Sequence, residues 1–185
     1  MPNTVISQME ARMKKALEDL HVDLGTLRTG RATPTLLDKI VLEYYGAPTP
    51  MKSLAAVSAP DARQLLVTPF DKSLTNVIAN AINKSDLGVS ATTDGNNVRV
   101  SIPSLNEERR KEMVKLAGKK TEAHKVAVRN IRRDANDVLK KMEKEGAISK
   151  DDLARHETAV QKITDANIAE IEKVRAAKEA EILEI

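Results

Sequence analysis

Cysteine and tryptophan are both absent from the 185 residues. Without a thiol there can be no disulfide, thiolate nucleophile or zinc–thiolate site. Aromatic residues make up 2%, with Phe70, Tyr44 and Tyr45 the whole set. That nearly excludes the base-stacking platforms that hold single-stranded nucleic acid. No apolar run approaches the roughly 18 to 20 residues that a membrane-spanning helix needs. The opening MPNTVISQMEARMKK lacks a charged stretch followed by an apolar one, so no secretory signal is expected. His21, His124 and His156 are far apart and show no metal-ligand spacing. No G-x-x-x-x-G-K-S/T loop occurs, so the chain is not expected to bind and hydrolyse nucleotide itself. Acids are plentiful, yet none is matched by motif to a base or nucleophile. The expectation is a soluble cytoplasmic protein and not an enzyme, with no catalytic site, metal, cofactor or membrane partner.

What the chain does have is charge: 31% of its residues are charged and 41% hydrophobic, enough for a packed core. The net charge is +3, but it is unevenly spread. Residues 1–30 are neutral, 31–104 carry +1, 105–146 carry +5 and 147–185 carry −3.

Three segments have helical periodicity. In residues 3–28, Ile6, Met9, Met13, Ala16, Leu17, Leu20, Leu24 and Leu27 recur at steps of three and four. Residues 105–146 form a second helix, about 60 Å long at 1.5 Å per residue. Its start is either a Ser104–Glu107 capping box or Asn106, and Gly146 stops it. Residues 149–184 form the third, capped by Ser149, with Leu153, Val160, Ile163, Ile171, Val174, Ile182 and Leu183 as its apolar stripe. Three long amphipathic helices must bury their faces on one another, and the short EGAIS turn makes the last two antiparallel.

Residues 35–103 have a different texture. KIVLEYYG reads as a strand ending at Gly46, with Pro48 and Pro50 in the following turn. LAAVSA and RQLLVTPF read as further strands. SLTNVIANAINKSDLG reads as a helix capped by Ser73, with Asp71 a turn residue before it. GVSATTDGNNVRVSIP reads as a hairpin turning at Asp94-Gly95. The fold class is therefore α+β: a long three-helix bundle (1–30 with 105–185) interrupted by a small β/α/β domain (31–104). Hinges are expected at Arg31, Ala32, Thr33 and Pro34, and at Ile102, Pro103 and Ser104.

One stretch of the second helix stands out. VRNIRRDAND, residues 128–137, holds three arginines, two aspartates and two asparagines. At about 100° per residue, Val128, Ile131, Ala135, Val138, Leu139 and Met142 face the bundle. Arg129, Arg132, Arg133 and Asn136 share a neighbouring arc, with Asn130, Asp134 and Asp137 beyond it. A solvated face with surface ion pairs is the plainer reading. A phosphate grip is the sharper one, because the planar guanidinium fork holds phosphate oxygens bidentately. Arg28 and Arg31 sit where the first helix leaves the bundle. Whether they meet the strip depends on the bundle register.

RTGRATPTLLDKIVLEYYGAPTPM, DLGVSATTDGNNVRVSIPSLNEERRKEMVKLA and above all VAVRNIRRDANDVLKK closely resemble the bacterial ribosome recycling factor family, over essentially the whole chain. Two departures are Asn106, where the family commonly has Thr, and Gly118, where a better helix former is usual. The resemblance implies an L-shaped, monomeric protein that binds the post-termination ribosome. With elongation factor G and GTP it would split the ribosome into subunits and promote release of messenger RNA and tRNA. Its partners would be the large subunit, through ribosomal RNA, and elongation factor G. Carried over, Arg132 and Arg129 are the first candidates for RNA contact, Arg28 and Arg31 come next, and Arg133 follows from its place on the strip. The competing expectation is a helical adaptor or coiled-coil chaperone that binds protein partners, its basic strip no more than a solvated face.

Overall fold

A computed structural model describes residues 1–184. In chain order its elements are α1 (Pro2–Gly25), β1 (Val41–Tyr44), β2 (Ala47–Pro50), β3 (Ala55–Asp61), β4 (Gln64–Pro69), α2 (Thr75–Lys84), β5 (Ser90–Asp94), β6 (Asn97–Ser101), α3 (Glu107–Lys144) and α4 (Lys150–Leu183). The chain divides into two compact units. One comprises Met1–His21 with Leu116–Glu179, the other Val22–Lys115 with the described residues from Ala180 on.

The first unit is a bundle of three helices. Met9, Met13, Ala16 and Leu20 of α1, Ala117, Val128, Ile131, Ala135 and Leu139 of α3, and Val160 and Ile171 of α4 are buried. Thr121 and Thr164 lie in the same core, with hydroxyls satisfied by the carbonyls of Ala117 and Val160 one turn back, both at 2.8 Å. Pairs between α3 and α4 show the antiparallel arrangement: Lys140 meets Glu157, Arg132 meets Gln161 and Lys125 meets Glu172. The turn between them follows from Gly146 at φ +75°. Its N–H donates to Glu143 and the Ala147 N–H to Met142, a Schellman ending that occupies the last carbonyls of α3. At the start of α4, Ser149 Oγ accepts from the Asp152 N–H at 3.0 Å and Asp152 Oδ2 accepts from the Ser149 N–H. Hydrogen bonding to the carboxylate from the Ser149 side chain, and then from its N–H, holds the Asp152 pKa below its ordinary value. Asn106 starts α3, its Oδ1 accepting from the Arg109 N–H at 2.8 Å.

Gly118 lies inside α3, and a Cβ there would come 3.2 Å from the Arg175 guanidinium of α4. That guanidinium is the far end of a flexible side chain and also bonds Glu179. We expect Gly118→Ala to push it outward and still stabilise the protein, by somewhat less than about 1 kcal/mol, the propensity difference. Chemical denaturation checks this, and a lower midpoint would mean that the guanidinium cannot yield.

The second unit is built on an antiparallel sheet of order β3-β4-β6-β5. Leu65 and Val67 of β4, Val98 and Val100 of β6, and Ala91 of β5 share one buried core with Ile78 and Ile82 of α2. Asn83 of α2 clamps the edge strand β5, donating to the Ala91 carbonyl and accepting from the Ala91 N–H at 2.9 and 2.8 Å. A helix over an edge strand is one way to blunt pairing with another chain.

Four expectations need correction. Pro48 and Pro50 are not in a turn but in β2, which pairs with β1. They alternate along the strand, so their missing N–H groups fall on the side away from β1. The turn is Tyr45-Gly46, with φ of +49° and +76°, the geometry of a type I′ hairpin. The cap before α2 is Asp71, whose Oδ1 accepts from the Ser73 N–H and Oγ, and those bonds lower its pKa. A short 3-10 turn, Lys72–Leu74, separates this cap from α2. Val138 and Leu183 are exposed rather than core residues. The buried stripe of α3 steps through Val128, Ile131, Ala135 and Leu139, and Val138 lies just past its edge, about 20° beyond Ile131. Leu183 is the last residue of α4.

Candidate nucleic-acid interface

No proline or glycine falls between Val128 and Asp137, so nothing interrupts α3 where its arginines lie. The buried stripe fixes which way the helix faces, and that sets the arginine arc beside it. Arg129 is half-buried, with Nη1 3.5 Å from Glu122 Oε1. Arg132, also half-buried, donates from Nη1 to Gln161 Oε1 of α4 at 3.1 Å. Gln161 in turn donates to Asp165 Oδ1 at 2.7 Å. A neutral amide thus orients the Arg132 fork without cancelling its charge. Arg133 is exposed and has no acidic partner among the described residues. Asp134 does not neutralise the strip either, because it bridges to Arg12 of α1 at 3.0 Å.

Arg28 and Arg31 belong to the second unit. Arg28 is 8% exposed and donates from Nη1 to the Gly88 carbonyl at 3.1 Å. Gly88 has φ +69°, and a Cβ there would press on the guanidinium, which therefore lies on bare backbone. Burial, and then the charge of Arg109, lower the Arg28 pKa from its usual value. Arg31 is exposed, with Nη2 3.4 Å from Glu184 Oε1. Near it, the Ala32 N–H donates to the Ala62 carbonyl at 2.7 Å and the Ile102 N–H to the Arg63 carbonyl at 2.9 Å. The β3–β4 turn therefore ties down one residue in each connecting segment. Thr33 precedes a 3-10 turn at Pro34–Leu37.

Sequence reasoning missed Gln161, which lies on another helix and has no motif around it. It also missed Arg63 and Arg110, which line a cavity in the second unit. The only sequence signal for that pair was the adjacent Arg109 and Arg110 in EERRKE.

Fold and site together define an α+β protein that presents uncompensated guanidinium groups from one face of a long helix. A profile of the family described as ribosome recycling factor matches residues 20–183, and the chain belongs to that family. It is 52% identical to the ribosome-recycling factor of Brevibacillus brevis and 49% identical to that of Bacillus subtilis, each over 100% of both chains. Among solved structures it is similar to a ribosome recycling factor in solution, with TM-score 0.76 and 38% identity over 100% of this chain and 98% of the other. It is also similar, with TM-score 0.68 and 43% identity over 99% of both chains, to a chain from models of the T. thermophilus ribosome recycling factor and the E. coli elongation factor G bound to the E. coli post-termination complex.

Proposed function

We propose that this chain is a translation factor that binds the post-termination ribosome in the cytoplasm and, with elongation factor G and GTP, splits it into subunits. Messenger RNA and tRNA are then released for a new round of initiation. The observation that carries this reading is the strip of Arg129, Arg132 and Arg133, whose charge no acid of α3 or α4 cancels at Arg132 or Arg133. Duplex RNA hides most of its base edges, so a protein with almost no aromatics must hold it by backbone and shape. Guanidinium-to-phosphate contacts supply that hold on large-subunit ribosomal RNA. Arg31 adds to it from its exposed position, whereas Arg28, 8% exposed and bonded to the Gly88 carbonyl, offers little surface to a phosphate. The free energy of splitting comes from the partner GTPase.

Co-sedimentation with isolated large subunits tests the reading. Binding should weaken steeply with salt, by roughly tenfold or more between 50 and 200 mM if three phosphates are neutralised. Salt-independent binding, or binding to helical proteins in place of subunits, would favour an adaptor.

We further propose that the inserted domain, residues 31–104, swings about Arg31 to Pro34 and Ile102 to Ser104. Because Ala32 and Ile102 are bonded to the β3–β4 turn, the compliant bonds are those at Arg31, Pro103 and Ser104. Spin-label distances across the two segments should differ between free and ribosome-bound protein. One unchanged distance distribution in both states would contradict the hinge.

A further inference from the structure

Within the second unit lies a cavity of about 190 Å³ whose lining includes Thr29, Arg31, Arg63, Ser104, Arg110 and Glu184. Three arginines, a threonine and a serine thus line a space large enough for a tetrahedral oxyanion. Arg110 Nε is buried and has no hydrogen-bond partner. Buried polar groups nearly always have one, so the guanidinium of this lining residue is left with hydrogen-bonding capacity unused. Neither Arg63 nor Arg110 has an acidic side-chain partner among the described residues. Glu184 is the one carboxylate in the lining, and it sits 3.4 Å from Arg31 with both side chains more than half exposed. An ion pair of that kind is weak and easily displaced. The lining therefore carries three positive charges against one negative, leaving two, the charge of a phosphate dianion.

We propose that this cavity is a binding site for a small doubly charged oxyanion, a phosphate or the phosphoryl group of a monoester. Arg110 and Arg63 donate to it, and Glu184 competes with it for Arg31. The ligand's charge relieves the crowding of like charges in the lining. The site goes beyond the proposed grip on ribosomal RNA: it shares Arg31 with that grip but uses none of Arg129, Arg132 and Arg133.

The full-length protein titrated with inorganic phosphate, at ionic strength held constant with chloride, tests the site by calorimetry and by 31P line broadening. Glycerol 3-phosphate serves as the monoester arm. Saturable binding of one phosphate is expected. Arg110→Gln should weaken it about tenfold or more, as loss of a charge-assisted bond does. Glu184→Gln should tighten it about two- to fivefold by removing the competitor. Binding of both ligands assigns the site to the phosphoryl group in general, and binding of inorganic phosphate alone assigns it to the free ion. The proposal is overturned if phosphate does no more than chloride. It is also overturned if Arg110→Gln and Glu184→Gln, each shown to be folded by circular dichroism, bind as the parent does.

Discussion

Replacing Arg129 and Arg132 together by alanine is expected to weaken binding to isolated large subunits by about two orders of magnitude, with the bundle still folded. Each guanidinium removed from a phosphate forfeits a charge-assisted bond worth about 1.5 to 3 kcal/mol, and two such losses at the lower figure already amount to a factor of roughly 100. The cost to folding is small, because neither side chain carries core contacts that the bundle depends on. Arg132 gives up one bond to Gln161, and Arg129 gives up a 3.5 Å pair with Glu122. Losses of single surface pairs of this kind stay within about 1 kcal/mol each. Circular dichroism should show an unchanged helix signal. Sedimentation should show weaker binding with a shallower dependence on salt, since two fewer phosphates are neutralised. If the double variant bound subunits as well as the parent, the strip would be a solvated face after all.

Leu139→Ala should act in the opposite way. Leu139 is fully buried in the bundle and continues the stripe that runs through Ile131 and Ala135. Deleting its isobutyl group removes buried apolar surface and leaves a cavity, a change that costs about 2 to 5 kcal/mol. Denaturation should show that loss directly. At temperatures where the variant remains folded, however, subunit binding should keep the parent's slope against salt, because every arginine is retained. The pair of variants thus separates the scaffold from the grip. A Leu139→Ala protein of parental stability would mean that α3 does not pack as described, and the orientation of the arginine arc would fall with it.

The helices were legible in the sequence because their signals are local. Steps of three and four marked the buried stripes, and Gly146, Asn106 and Ser149 marked three of the ends. Each of those residues acts on backbone within a few positions of itself. The arginine strip was legible for the same reason, since helical periodicity alone places Arg129, Arg132 and Arg133 beside the stripe. What sequence did not disclose depends on partners distant in the chain. Strand β2 was hidden by its prolines, which are tolerated only because β1 pairs on the other side. The bond from Arg28 to Gly88 spans 60 positions, and the Arg132–Gln161 bond crosses between helices. The same distance explains Val138, for periodicity finds an apolar face but only packing sets how wide that face is.

The strip and the sheet unit serve different physical needs. The helix bundle holds three guanidiniums on one face of α3, which under the proposed function would direct binding without a large net charge. A total of +3 with +5 concentrated in residues 105–146 fits that arrangement. The acids of α4 help confine it, as where Glu172 meets Lys125 and Glu157 meets Lys140. Arg132 is the exception on that seam, held by an uncharged amide.

The most direct measurement is a subunit-splitting assay followed by light scattering, with post-termination ribosomes, elongation factor G and GTP, comparing this protein with its Arg132→Ala variant. Rapid splitting by the parent, requiring both elongation factor G and GTP, is expected, with a rate lower by at least about tenfold for the variant at equal subsaturating concentration. Equal rates for the two proteins, or no splitting by the parent, would contradict the proposed function.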